Sequence, residues 1–363
     1  MKNKNNFFTK KILITVFCFY INNATAEDKY LDTKTYYDIN SKALQEHIIP
    51  SYENFSTNMI KWHNSVEKLC KNPTNTQLSQ TKQDFKYIAM GFSSVMNIGF
   101  GSITYFDTYK KIDFWPDKKS FINRGLKKIL KNKDRKLFEK IRKGTVTPVV
   151  ISFNSSERLL FKTNDSVIKD SYACNLLLEQ ANYFKKRAFD VLKDWKSSDG
   201  YRNIFLSDDL SDKDAHIYST GELYKASMLG LQLIADKMIG EPLSKQKKRG
   251  RPYFAQYPYS RTSKIALQGV YDSSRNLILN IFKDIIISEN KQKNYTRLVK
   301  LFDKGQVYID KLDGDIYTLA KTEQGRKKLE KLQNMIILIR TVSLRELNLA
   351  LNIPLGFNGL DGD

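Results

Sequence analysis

The chain has 363 residues, of which 41% are hydrophobic and 27% charged, which excludes global disorder and gives enough apolar material for a packed core. Its formal net charge is +21 at pH 7, from 60 Lys and Arg against 39 Asp and Glu. Such a surface is drawn to anionic membranes, polyanions or acidic proteins, but Lys and Asn are spread through the whole chain and mark no single patch.

Residues 1–26 read as an export signal. Lys2, Lys4, Lys10 and Lys11 form a charged start, Ile12 to Ile21 an apolar stretch, and Ala24-Thr25-Ala26 a small-x-small cleavage site. The apolar run, about ten residues, is too short to span a bilayer. Cys18 follows Phe17, where a lipoprotein cleavage site wants a small residue. The expectation is a cleaved periplasmic protein beginning near Glu27, with no transmembrane segment after cleavage; an uncleaved N-terminal anchor is the alternative. The remaining chain, roughly 340 residues, is long for one core and suggests two packed domains. It keeps Cys70 and Cys174, which in an oxidising compartment read as one disulfide, with two buried thiols as the alternative.

The periodicity is helical almost throughout. Leu44, Ile48, Tyr52, Phe55, Met59, Trp62, Val66 and Leu69 step by four and three along one face. Thr147 and Pro148 suit the start of a helix running to Phe161, although Val146 to Ile151 also has strand propensity. Leu177, Ala181, Phe184, Ala188, Leu192 and Trp195 mark another helix. Ser219-Thr220-Gly221-Glu222 looks like a capping box opening a helix to Ile239, closed by Gly240 and Pro242. Leu267 to Ile285 and Lys327 to Arg340 carry two more helices. The predicted fold is all-α, in two four-helix-bundle-like halves packed around a shared cleft: 27–196 and 215–363, joined by a polar linker at 197–214. A second, basic linker covers Ser244 to Pro258. Its Arg249-Gly250-Arg251-Pro252 resembles a minor-groove hook, but export removes the chain from DNA, so it reads as a solvated loop and no nucleic-acid partner is expected.

Residues 152–161, SFNSSERLLF, place the Glu157 carboxylate inside an apolar helical stretch, a costly position without a partner. Three further blocks accompany it: His47-Ile48-Ile49-Pro50-Ser51-Tyr52, Phe114-Trp115-Pro116-Asp117, and the closing Leu355 to Asp363. Together with Ile98 to Ser102, Lys237-x-x-Gly240-x-Pro242 and Ser260-Arg261-Thr262-Ser263, their order and spacing resemble the imelysin-like family, also called peptidase M75, in its lipoprotein-like branch. The resemblance runs from about His47 to the C-terminus. Three positions depart from it. Asn154 stands where the founding members carry the His of H-x-x-E, Gly99 and Ser102 replace the Arg and Pro of R-F-G-P, and Gln256 replaces an acid.

The three histidines, His47, His63 and His216, form no H-E-x-x-H, and His63 and His216 read as surface or solvated residues. Pro50 cannot donate a hydrogen bond, so it frees the Glu46 carbonyl beside His47 and Tyr52. With Glu157 and Asp117 this could form a hard, oxygen-rich site suited to iron or another divalent metal. The competing reading is structural: Glu157 paired with Arg261 or another base, and Asp117 capping a helix after Pro116. Ser260, Arg261 and Ser263 could instead hold an anionic ligand group. Asp361 and Asp363 read as part of a docked tail. The resemblance implies a role in iron acquisition, with iron-uptake components as partners; with Asn154 in place of the H-x-x-E histidine, the reading leans to a non-enzymatic or weakly enzymatic binding protein. A metal-dependent peptidase is the alternative, and a binder of envelope polyanions a third reading.

Overall fold

The computed structural model describes residues 31–163, 165–244, 249–288 and 292–351. The signal segment, Lys247 and Lys248 of the basic linker, and the closing block from Leu355 to Asp363 lie outside the described residues. The described chain is all-α. Its principal helices are α1 (Thr33–Ala43), α2 (Ile49–Lys71), α3 (Asn75–Asp84), α4 (Lys86–Ser93), α5 (Phe121–Asn132), α6 (Phe153–Phe161), α7 (Ser171–Lys196), α8 (Lys213–Gln232), α9 (Ser263–Asn276), α10 (Gln292–Asp310) and α11 (Glu323–Leu351).

Apart from α1, the helices before residue 197 pack largely on one another, with α2 lying along α7 and against α4. Those after residue 212 do the same, α8 against α9 and α11, and α10 against α11. The two groups meet where α1 packs on α8 and α4 on α9. One apolar cluster, from Ile39 to Leu351, runs through both groups. The stripe predicted on α2 is buried as expected, with Tyr52, Phe55, Met59, Trp62, Val66 and Leu69 facing inward. Each such large side chain contributes about 2 kcal/mol on leaving water. A disulfide joins Cys70 at the end of α2 to Cys174 at the start of α7. Gly269 lets α9 approach α4, because a Cβ there would lie 1.9 Å from Ser93 Oγ.

Several boundaries differ from the sequence reading. The predicted helix from Pro148 to Phe161 is two pieces: a short turn, Pro148–Ile151, and then α6. Ser152 between them is extended, and its hydroxyl accepts from the Ser155 N–H, a cap stronger than the pull to continue. Ser219 to Glu222 open no helix, because Asp212 caps α8 seven residues earlier by accepting from Ala215 N–H. Beyond Gln232 that helix continues as a π-helical segment, Leu233–Ile239, and a final turn, Gly240–Leu243, which ends at left-handed Ser244. Pro242 thus lies inside the last turn rather than after it. The linker at 197–214 contains a short helix, Tyr201–Phe205. His63 and His216 are buried, the first beside Lys185 Nζ at 3.2 Å and the second edge-on to Tyr37.

Two more π-helical segments, Leu44–Ile48 before α2 and Leu277–Ile281 after α9, lie against one another. The first follows from Pro50: with no N–H at that position the ladder shifts by one residue, and Ile49 N–H bonds to Leu44 O.

Candidate functional site

The freed Glu46 carbonyl has a partner. Asn276, at the last turn of α9, points its amide at it at 3.4 Å and at His47 Nδ1 at 2.9 Å. His47 Nε2 faces Ser273 Oγ at 3.4 Å, and that hydroxyl donates to Asn97 Oδ1 at 2.7 Å. Burial lowers the His47 pKa to about 4, so the ring is neutral, with Nδ1 as acceptor and Nε2–H as donor. The chain of bonds fixes both nitrogens.

His47 and Asn276 stand at one end of a groove of about 800 Å³ between α2, α4 and α9. The volume suits a small organic ligand. Along α9 the groove-lining residues Lys264, Gln268, Asp272 and Asn276 recur every fourth position, so they share one face. Lys264 and Asp272 are roughly 12 Å apart along the axis at 1.5 Å per residue. Lys264 and Arg261 make one end of the groove basic, at the positive terminus of α9. Glu46 and Asp272 make the other end acidic. Asp315 lies at the basic end, but it already accepts from Ser263 Oγ, Lys264 N–H and Tyr317 N–H, the last as a helix cap.

Glu157 does not line this groove; it holds the loop that supplies Arg261. Its Oε1 accepts from Tyr259 N–H at 3.0 Å and from Ser260 N–H and Ser260 Oγ, both at 2.8 Å. The held loop contains two left-handed non-glycine residues, Tyr257 (φ 53°) and Arg261 (φ 62°), a conformation that needs outside support. Arg261 emerges exposed from it, its guanidinium 3.3 Å from the Tyr317 ring centre and one N–H on Pro258 O. Trp115 Nε1 donates to Phe254 O and fastens the same loop from the other side.

Around Glu157 lies a set of buried polar atoms without partners among the described residues: Glu157 Oε2, Asn154 Oδ1 one turn earlier on α6, Gln256 Oε1 and Tyr257 Oη. Gln256 Nε2 lies 3.3 Å from Asp113 Oδ2. Burial raises Glu157 to about 7 against the opposing bonds from Ser260 and Tyr259 and the nearby positive charge of Arg158, and raises Asp113 to about 7 against the bond from Gln256. These carboxyls therefore hold a proton far more readily than exposed ones.

The residues expected to form a metal site are thus dispersed. Among the described residues no group of three or more His, Cys, Asp or Glu is arranged to hold a metal ion. Both His47 nitrogens and one Glu157 oxygen are committed. Asp117 caps α5, its two oxygens accepting from Phe121 N–H and Ile122 N–H, and lies 3.5 Å from Arg158. Tyr52 is stacked on Trp195 in the core. This donor set does not fit a resident iron ion. Of the expected anion-binding residues, Arg261 lines the groove, while Ser260 is turned to Glu157 and Ser263 to Asp315. The Glu157–Arg261 pair considered from the sequence is replaced by bonds to the preceding backbone. Lys264, Asp272, Asn276 and Asp113 were not anticipated; the four-residue spacing on α9 was the one sequence signal for the first three.

The sequence matches the imelysin family, Peptidase M75, over residues 48–340. No curated protein matches it. Among solved structures, an imelysin-like protein from Psychrobacter arcticum superposes with a TM-score of 0.76 at 16% identity, covering 90% of this chain and 98% of that one. A protein named as an iron-regulated protein A precursor, from Parabacteroides distasonis, superposes with a TM-score of 0.66 at 12% identity, covering 86% and 96%. At these identities the structures establish a shared fold, and the match over most of the sequence establishes the family: the chain belongs to the imelysin family.

Proposed function

We propose that this chain is an exported, non-enzymatic binding protein of iron acquisition that takes a small metal-bearing ligand into the groove between α2 and α9. The observation that carries the reading is the groove itself, basic at Arg261 and Lys264 and acidic at Glu46 and Asp272. In this reading iron arrives as cargo inside an organic chelator. The protein contacts the chelator and supplies no ligand set of its own. An anionic group of the ligand meets Arg261, whose fork suits carboxylates. Donor groups meet the acidic end, and His47 is a neutral wall. The fold shared with a protein named as iron-regulated supports the setting, and the charged start and small-x-small site at residues 1–26 support export.

The test is iron retained by the purified protein after equilibration with ferric citrate, and separately with ferrous iron alone, followed by removal of the free species. Near-stoichiometric iron from the chelate, little from the free ion, and at least a tenfold loss in Arg261→Ala are expected. Equal retention in Arg261→Ala, or none from the chelate, overturns the reading. Chelator-sensitive cleavage of unfolded substrates would favour the peptidase instead.

A further inference from the structure

A separate pocket, of about 500 Å³, lies between α5, the end of α6 and the turn that follows. It shares no lining residue with the groove. Its polar walls are Asn123, Lys127, Arg158, Lys162, Thr163 and Ser166, with no carboxylate among them. Lys127 and Lys162 are exposed, and neither has an ion-pair partner among the described residues. Lys162 only approaches the Tyr259 ring, at 5.2 Å.

Arg158 sets this pocket apart from an ordinary basic surface. It is 6% exposed, and its Nε and Nη1 have no acceptor among the described residues. Its single ion pair among the described residues is the 3.5 Å contact from Nη2 to Asp117, whose charge is already met by two backbone N–H groups. A buried guanidinium with unused N–H groups is costly unless an acceptor arrives. The unused N–H groups are shielded from solvent, so for a ligand to reach them the guanidinium must rotate away from Asp117. Among the described residues the long Asp117 contact is the only ion pair that this rotation gives up.

We propose that this pocket binds a phosphate-class oxyanion. The guanidinium supplies paired N–H donors, Lys127 and Lys162 supply the charge that a dianion requires, and the Asn123 amide supplies a neutral donor at the rim. The oxyanion belongs either to a soluble phosphate compound or to a phospholipid headgroup.

Equilibrium dialysis of the purified protein against labelled inorganic phosphate tests the site. One saturable phosphate per chain is expected, displaced by sulfate and weakened at high salt. The exposed double variant Lys127→Ala with Lys162→Ala, which leaves the core untouched, should weaken binding by about tenfold or more. Arg158→Lys, which keeps the charge but loses the fork, should do the same while folding normally. A control pair remote from the pocket, Lys304→Ala with Lys331→Ala, should bind as wild type. No saturable binding, an unchanged Lys127/Lys162 variant, or equal weakening in the control overturns the proposal. Co-sedimentation with phosphatidylglycerol vesicles that is lost in the Lys127/Lys162 variant assigns the oxyanion to a headgroup. Phosphate binding without co-sedimentation assigns it to a soluble compound. Arg261→Ala should leave this site unchanged, so it stands or falls apart from the groove.

Discussion

His47 and Glu157 are both buried titratable side chains beside a break in a helix, and their surroundings satisfy them to different degrees. Both His47 nitrogens are engaged, through Asn276 and Ser273, and the second bond passes on to Asn97. Glu157 is saturated at one oxygen and, among the described residues, without a partner at the other. The fully bonded imidazole is neutral and acts as a post joining the π-helical turn before α2 to the end of α9. The half-bonded carboxyl keeps an open lone pair and a raised affinity for a proton. Burial of the charged form is the largest influence on each, so satisfaction of the remaining atoms, rather than burial alone, distinguishes a structural node from one with spare chemistry.

The strongest way to break this contrast is Glu157→Ala. It strands two backbone N–H groups and a hydroxyl and releases the loop carrying Arg261, so a loss of about 4 kcal/mol is expected in urea unfolding, together with loss of groove binding. Glu157→Gln keeps an oxygen acceptor and should retain most of both. If Glu157→Ala unfolds like wild type, the loop is held by other contacts and the positioning role fails.

The next effect is in pH. Glu157 and Asp113 hold their protons to about 7 in the folded chain but release them near 4.5 and 3.8 when unfolded. Their contribution to stability is therefore present below those ordinary values and is lost as pH rises through 7, by at most about 3 kcal/mol for Glu157. His47 runs the other way: its contribution is present above 6.5 and is lost as pH falls toward 4. Denaturation from pH 4 to 8 should show the two trends opposing each other between 4.5 and 6.5. Glu157→Gln should lose the component that falls toward pH 7, and His47→Asn the one that falls toward acid. An unchanged profile in Glu157→Gln would falsify the raised carboxyl.

A smaller stability effect is expected from His47→Ala. It opens a void and leaves the Asn276 amide without its acceptor, for a loss of about 2 kcal/mol, and it should loosen the acidic end of the groove while Arg261 stays in place. Arg261→Ala should be smallest in stability, within about 0.5 kcal/mol, because the side chain is exposed, yet large in binding. Together these variants separate loop holding, groove shape and ligand charge.

Much of this was legible in the chain. Regular apolar spacing specified the all-α class and the inner face of α2, because period is a local property that burial only selects. Pro50 foretold a freed Glu46 carbonyl, and Asp117 after Pro116 foretold a cap, since missing donors and short carboxylates act within a few residues. The interruption at Ser152 and the true start of α8 at Asp212 were harder, because two plausible caps compete within a few residues and tertiary packing chooses between them.

What only the tertiary structure decided is which distant groups meet. Glu157 looked ready for a base or a metal, and the fold gave it the backbone of Tyr259 and Ser260, about a hundred residues away. His47 found Asn276, more than two hundred residues on. No local pattern encodes such pairings, because each depends on where packed helices bring their ends together. The sequence determined that the carboxylate would sit inside an apolar helical stretch and the imidazole beside the break that Pro50 makes. Tertiary packing determined that the imidazole would be a closed post and the carboxylate a half-open anchor, because their partners come from helices and loops far along the chain.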